Sequence, residues 1–162
     1  MPHTGFNEVL IAFGSNKGDC KQNIQRAVEM LADLGEVEKI SPIFITKPEG
    51  FALQPDFLNG ALLLRTALEP QALLAALKNI ETSLGRRPAF RNAPREIDLD
   101  IIFYNDLVLN GEILTIPHPL AHGREFVLLP LSYNAPNMAH PVTGKTVNQM
   151  LKELLRQQYP RA

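Results

Sequence analysis

Residues 85–102 read G-R-R-P-A-F-R-N-A-P-R-E-I-D-L-D-I-I, four arginines with no acid between them running into two aspartates one residue apart in an apolar run. Arginine forks match phosphate oxygens, and paired carboxylates hold divalent cations, so the segment points to polyphosphate and metal. On a strand, Asp98 and Asp100 share a face with Cα atoms about 6.6 to 7 Å apart. That spacing lets two carboxylates share a pair of divalent ions about 3.5 to 4 Å from each other. The proline and small residues between the arginines predict a surface loop. Ile102 and Tyr104 continue the aspartate face, with Ile97, Leu99, Ile101 and Phe103 on the other, so both faces are expected to be covered. Carboxylates in such a strand need partners. D-x-D is also common on solvated sheet faces, and an arginine loop is usually a solvated surface. Four arginines without an interleaved acid, however, repel one another unless an anion or the two aspartates compensate.

Three further features carry chemistry. Asn59, within F-L-N-G on an apolar run, is a buried amide that needs several hydrogen bonds, which the edge of a heteroaromatic ring can satisfy. Phe57, two residues away on the same strand face, offers a stacking surface, although a core phenylalanine would look the same. His118 sits between two prolines, an imidazole held by a rigid loop, useful against phosphate but equally an ordinary turn residue. Gly14-Ser15-Asn16 is weaker: after a strand it reads simply as the turn into the first helix.

The elements that must position these residues follow from periodicity. A strand is predicted at 7–13 and a helix at 19–34, with Asp19 as N-cap, Ile24, Ala27, Val28, Leu31 and Leu34 at helical spacing and Gly35 at C′. Strands follow at 36–46 and 57–66, separated by a long loop at 47–56. A helix at 70–84 opens with Pro70 and ends at Gly85, and a strand at 96–104 turns at Asn105-Asp106 into a short arm at 107–109. A Pro-His-Pro loop at 117–119, a short helix at 124–131 and a C-terminal helix at 146–157 complete the chain. Strand, helix, strand, strand, helix, strand is the order of a ferredoxin-like βαββαβ core, here an α+β fold with an additional C-terminal hairpin and helices, three layers α-β-α in all. Both long irregular segments, 47–56 and 85–95, have the length of functional loops, two lids over one site.

A chain of 162 residues, 45% hydrophobic, is expected to form one domain over 1–162. A formal net charge of −1 argues against nonspecific nucleic-acid binding. The single cysteine, Cys20, excludes an intramolecular disulfide, and the absence of a leader or a long apolar span sets the expectation of a cytoplasmic protein with no membrane partner.

The chain carries G-S-N at 14–16, Q-P-D-F-L-N at 54–59, I-E at 80–81, G-R at 85–86, P-R-E-I-D-L-D-I-I at 94–102, L-T-I-P-H-P at 114–119 and R-E-F-V-L-L-P-L at 124–131. In this order and spacing it resembles the 6-hydroxymethyl-7,8-dihydropterin pyrophosphokinases, folate-pathway enzymes that move the β,γ-diphosphate of ATP to the pterin hydroxymethyl group and release AMP. The resemblance implies that Asp98 and Asp100 hold two Mg²⁺ ions, and that Arg86, Arg95, His118 and Arg124 contact ATP phosphates. It further implies that Glu81, Ile101, Leu114 and Thr115 surround the adenosine, and that the pterin lies between Phe57 and Phe126. Asn59 and the backbone near Thr46, Pro48 and Glu49 would read the pterin edge, and the catalytic loops would be 47–56 and 85–95. The expected partners are these small molecules, and the expected state is a free-standing monomer.

The chain departs from the family pattern in places. Asn92 stands where the family often has tryptophan, so the aromatic lid is missing or replaced by Phe90, and the arginine loop is one residue shorter, so Arg87 and Arg91 have no assigned role. Lys78 replaces a frequent glutamine, and Pro119 follows the histidine. Two other classes compete with this reading. A nucleotidyltransferase also pairs a Gly-Ser turn with D-x-D, but keeps the two close in sequence. A non-catalytic pterin- or nucleotide-binding domain would not need both aspartates together with Arg95 and His118.

Overall fold

The structure, a computed structural model, describes residues 5–50 and 53–159. Phe51 and Ala52, in the first of the two long loops, lie outside the described residues. The apolar stretch Asn7–Ser15 forms β1, the central strand of an antiparallel sheet, flanked by β4 (Phe57–Thr66) and β5 (Asp98–Tyr104). β4 matches the predicted strand residue for residue. Beyond it, β2 (Glu36–Glu38) and β3 (Phe44–Thr46) both pair with β4, where one continuous strand was expected. Lys39 takes a left-handed backbone (φ 46°) and Pro42 has no N–H to donate, so the ladder breaks between them. Ser41 bridges the break: its N–H donates to Ala61 O (2.9 Å), and its Oγ accepts from Ala61 N (2.9 Å).

Helices cover both faces. On one, α1 (Cys20–Leu31) and α2 (Pro70–Ser83) bury Ile24, Ala27, Leu31, Leu73, Leu77 and Ile80 against Val9, Ile11, Phe13, Leu62 and Leu64. Asp19 caps α1 as expected, accepting from Gln22 N (3.1 Å). Gly35 is not its C′ residue, because α1 closes three residues earlier at Ala32. Gly35 is needed for room instead, since a Cβ there would lie 2.1 Å from Arg65 O. Gly85, with φ 105°, does end α2 as expected. On the other face, α3 (Glu125–Asn134) and α4 (Val147–Gln158) bury Val127, Leu128, Leu131, Val147 and Met150 against Leu10, Ala61, Ile102 and Phe103. Both helices run three residues or fewer beyond their predicted ends. The arm after β5 does not return to the sheet, and β6 (Leu109–Asn110) pairs with β7 (Thr115–Ile116) in a separate hairpin.

The strict alternation expected along β5 fails after Ile101. Leu10 registers with Phe103 and Ile11 with Ile101, leaving Ile102 as the extra residue of a β-bulge. Asp98, Asp100 and Ile102 keep the face toward α3 and α4. Beyond the bulge, Phe103 joins that face, and Tyr104 turns to the α1/α2 side, where its hydroxyl donates to Leu68 O (2.7 Å). Among the described residues, no helix is long and apolar enough to cross a membrane.

Candidate active site

The helices α3 and α4 cover only one end of their sheet face, and the open end forms the floor of a cleft. Across three strands, Asn59, Gly14 and Asp98 lie in register, and one pair further along lie Ala61, Ala12 and Asp100. Small residues on the central strand therefore make a depression between an amide on β4 and two carboxylates on β5. A Cβ on Gly14 would meet Asn59 Oδ1 at 2.5 Å and the Phe57 ring at 3.4 Å, so the depression exists only because residue 14 lacks a side chain. The Asn59 Nδ2 donates to Thr46 Oγ1 on β3, which leaves Oδ1 turned toward the floor as an acceptor.

At the other edge, Asp98 accepts from Arg86 Nη1 (3.0 Å) at one oxygen and from Arg95 Nη1 (2.9 Å) at the other. Arg86 also pairs with Glu81 on α2 (2.9 Å), and Glu81, 3% exposed, accepts the Leu99 N–H (2.8 Å). Burial raises the Glu81 pKa, opposed by that N–H and by Arg86. Glu81 is thus the post on which Arg86 stands. Asp100 has no side-chain hydrogen-bond partner among the described residues. Burial first, then the charges of Asp98 and Glu81, push its pKa up to about 7, against the pull of Arg95 and Lys78.

A carboxylate without a proton donor, beside a second carboxylate, is a site that a cation would satisfy. No group of three or more His, Cys, Asp or Glu side chains able to hold a metal occurs among the described residues. Asp98 and Asp100 could hold a cation whose remaining ligands are phosphate oxygens and water.

The bulge at Ile102 has a further consequence, because its carbonyl accepts the His118 N–H (3.0 Å) and fixes the Pro-His-Pro loop over β5. His118 Nδ1 accepts from Leu120 N (3.2 Å), so the neutral ring presents Nε2–H as a donor. Burial and the neighbouring Arg124 lower its pKa, against a rise from Asp98. Arg124, just before α3, pairs with Glu49 of the 47–56 loop (3.0 Å) and lies 5.4 Å from the centroid of the Phe126 ring.

Of the residues singled out in the sequence, Thr46, Glu49, Phe57, Asn59, Arg86, Arg95, Asp98, Asp100, His118, Arg124 and Phe126 line one cleft of about 360 Å³. Pro48 is not among its lining residues. Ile101 is 3% exposed and packs into the α1/α2 core. Leu114 lines an adjoining apolar recess of about 590 Å³ with Leu74 and Lys78, and Thr115 a cavity of about 810 Å³ that shares His118 with the cleft. Arg87 turns away, donating to Thr82 O (3.3 Å) and Arg86 O (3.0 Å), whereas Arg91 and Asn92 do line the cleft. Phe90 is 61% exposed and lies along a neighbouring groove outside this cleft. Sequence reasoning takes Gly14-Ser15-Asn16 for the turn into the first helix, whereas Gly14 and Ser15 close β1 and Asn16 follows it. The only available signal was a buried-type amide and a glycine closing an apolar strand.

Two adjoining carboxylates, convergent arginines and a fixed imidazole on a concave sheet face, with two loops at its rim, define a phosphoryl-transfer type of site. The chain belongs to the 7,8-dihydro-6-hydroxymethylpterin-pyrophosphokinase (HPPK) family, whose model matches residues 10–136. It is 40% identical over 145 residues to the 2-amino-4-hydroxy-6-hydroxymethyldihydropteridine pyrophosphokinase of Aquifex aeolicus, covering 90% of this chain and 91% of that one. It is also 44% identical over 148 residues to a folic acid synthesis protein of Dictyostelium discoideum, covering 91% of this chain but only 22% of that longer protein. Crystal structures of the Plasmodium falciparum HPPK-DHPS protein share the fold, with a TM-score of 0.75 at 17% identity over 96% of this chain and 47% of theirs. As a member of the family the chain is a transferase, a pyrophosphokinase of folate synthesis.

Proposed function

We propose that the chain transfers the β,γ-diphosphate of ATP to the hydroxymethyl oxygen of 6-hydroxymethyl-7,8-dihydropterin, giving the pterin diphosphate and AMP. The observation that carries this reading is the row Asn59, Gly14, Asp98. Two strand spacings separate its ends, roughly 10 Å, a span that takes a flat bicyclic ring with its amide edge at Asn59 and its hydroxymethyl arm at the carboxylates. Asn59 Oδ1 accepts from the ring's N–H groups, and Phe57 and Phe126 stack on its two faces, with the backbone near Thr46, Pro48 and Glu49 beside its edge.

Arg86, Arg95 and Arg124 are all engaged by carboxylates in the free protein, Asp98, Glu81 and Glu49. The nucleotide's phosphates exchange with those partners, and the forks then neutralise charge on the transferred group and on departing AMP. His118 Nε2–H donates to a phosphate oxygen. Leu114 and Thr115 border the adenosine, with Glu81 behind Arg86 and Ile101 in the core against which Leu114 packs, the recess at Leu114 joining the cleft through Lys78.

Asp98 and Asp100 would hold two Mg²⁺ ions. Bound there, the ions supply Lewis-acid polarisation of the phosphates and lower the pKa of the attacking hydroxyl. The hydroxymethyl oxygen bonds to the β-phosphorus, the bond from that phosphorus to the α,β-bridging oxygen breaks, and the hydroxyl proton is released. Positioning and charge neutralisation account for the chemistry without a covalent enzyme intermediate.

The strand order β5-β1-β4 with β2 and β3 outermost, and α1 and α2 together on one face, supports reading the core as ferredoxin-like. The test mixes protein, ATP, Mg²⁺ and the pterin and resolves nucleotides by chromatography. Pterin-dependent AMP without ADP is expected, and a folded protein that forms no AMP would overturn the reading.

A further inference from the structure

Asn16 is 1% exposed, and every hydrogen-bonding group of its amide is used. Its Nδ2 donates to Gln54 Oε1 (2.7 Å) and to Pro55 O (3.0 Å), both in the 47–56 loop. Its Oδ1 accepts the Arg95 N–H (2.8 Å), and its own N–H donates to Arg95 O (3.0 Å). One side chain at the end of β1 thus grips both irregular segments. The grip has a fixed base. Asn23 Nδ2 donates to Lys17 O (2.9 Å), Asp19 caps α1, and Lys17 pairs with Glu96 (3.5 Å) immediately after Arg95. A second link joins the loops directly. Gln54 Nε2 donates to Asn92 O (2.9 Å), and Gly50 lies so close to Asn92 that a Cβ there would meet its Nδ2 at 2.3 Å.

We propose that Asn16 is a positioning residue that couples the two loops, so that the segment facing the pterin and the arginine segment facing the nucleotide are ordered as one unit. Asn16 touches neither substrate. It acts through Arg95, which pairs with Asp98, and through Gln54 and Pro55, which precede the strand carrying Phe57 and Asn59. An unsatisfied buried amide partner is expensive, so loss of either half of the grip is felt in the segment it held. The inference rests on the assignment of the two loops to the two substrates made above.

Asn16→Asp separates the halves, because it keeps an acceptor for the Arg95 N–H and loses both donors to the 47–56 loop. In steady-state AMP assays it is expected to raise the pterin KM and the ATP KM together, each several-fold, although the donors it loses lie only in the pterin-facing loop. Asn16→Ala is expected to raise both further. A merely structural residue would lower the amount of active protein without changing either constant. A rise in the pterin KM alone for Asn16→Asp, or no change in either constant, would overturn the coupling. Wild-type AMP formation, measured alongside, decides the functional reading separately. If it fails, or if the variants do not fold, amide exchange in the free wild-type protein decides. The Asn16 side-chain amide, bonded to the 47–56 loop, and the Arg95 backbone amide are expected to open with one shared denaturant dependence, and independent openings would overturn the proposal.

Discussion

Asn59 and Asp98 face each other across a single strand position, and that position is Gly14. The distance between Asn59 and the two carboxylates is therefore set by sheet geometry rather than by loops. In the proposed pose, the register of β1 with its two neighbours would act as a ruler for the substrate.

Gly14→Ala should act on that ruler directly. No left-handed backbone is required at Gly14, so the substitution changes space alone, placing a methyl 2.5 Å from Asn59 Oδ1. The pterin KM is expected to rise about tenfold with the ATP KM unchanged. Steady-state kinetics with each substrate varied in turn checks this, and an unaltered pterin KM would remove Gly14 from the floor of the site.

Asn59→Ala is expected to weaken pterin binding by about 1 to 3 kcal/mol, the usual cost of an unmet buried hydrogen bond, with little effect on ATP. Calorimetric titration with each ligand separates the two. Equal losses would move Asn59 out of the pterin pocket.

Asp100 gives a pH dependence whose sign can be worked out. Its pKa rises from the usual 3.8 to about 7 in the folded chain. Between those values the folded protein retains a proton that the unfolded chain releases, so in metal-free buffer this group's contribution to stability falls as pH rises through that window. Asp100→Asn is expected to flatten the slope and to abolish Mg²⁺-dependent ATP binding and turnover. Melting temperatures in chelator across the same window test the first part; identical slopes in wild type and variant would contradict it, and wild-type turnover would refute the metal assignment.

Glu49→Gln should free Arg124 for phosphate. Glu49 is 53% exposed at its side chain, so the pair is worth at most about 1 kcal/mol, and a fall in the ATP KM of up to about fivefold is expected. A higher ATP KM would mean that Glu49 assists the nucleotide rather than competing with it.

What the sequence determined by itself was local. Period-two and helical spacing located β4 to the residue and α2 to within one, Asp19 announced a helix start, Gly85 a helix end, and D-x-D in an apolar strand announced a paired-carboxylate site. These follow from the chemistry of a few consecutive residues, which the chain carries with it wherever it folds. The tertiary structure decided what depends on register between distant segments. The bulge at Ile102 exchanged the faces of Phe103 and Tyr104 and placed a carbonyl under His118, because β1 and β5 slip past each other by one residue there. The break between β2 and β3, the clearance at Gly35 and the depression at Gly14 are likewise fixed by what lies across the sheet. Asn16 shows the division most plainly. In the sequence it is a turn residue, and only the fold brings Gln54 and Arg95, 38 and 79 positions away, within reach of one amide.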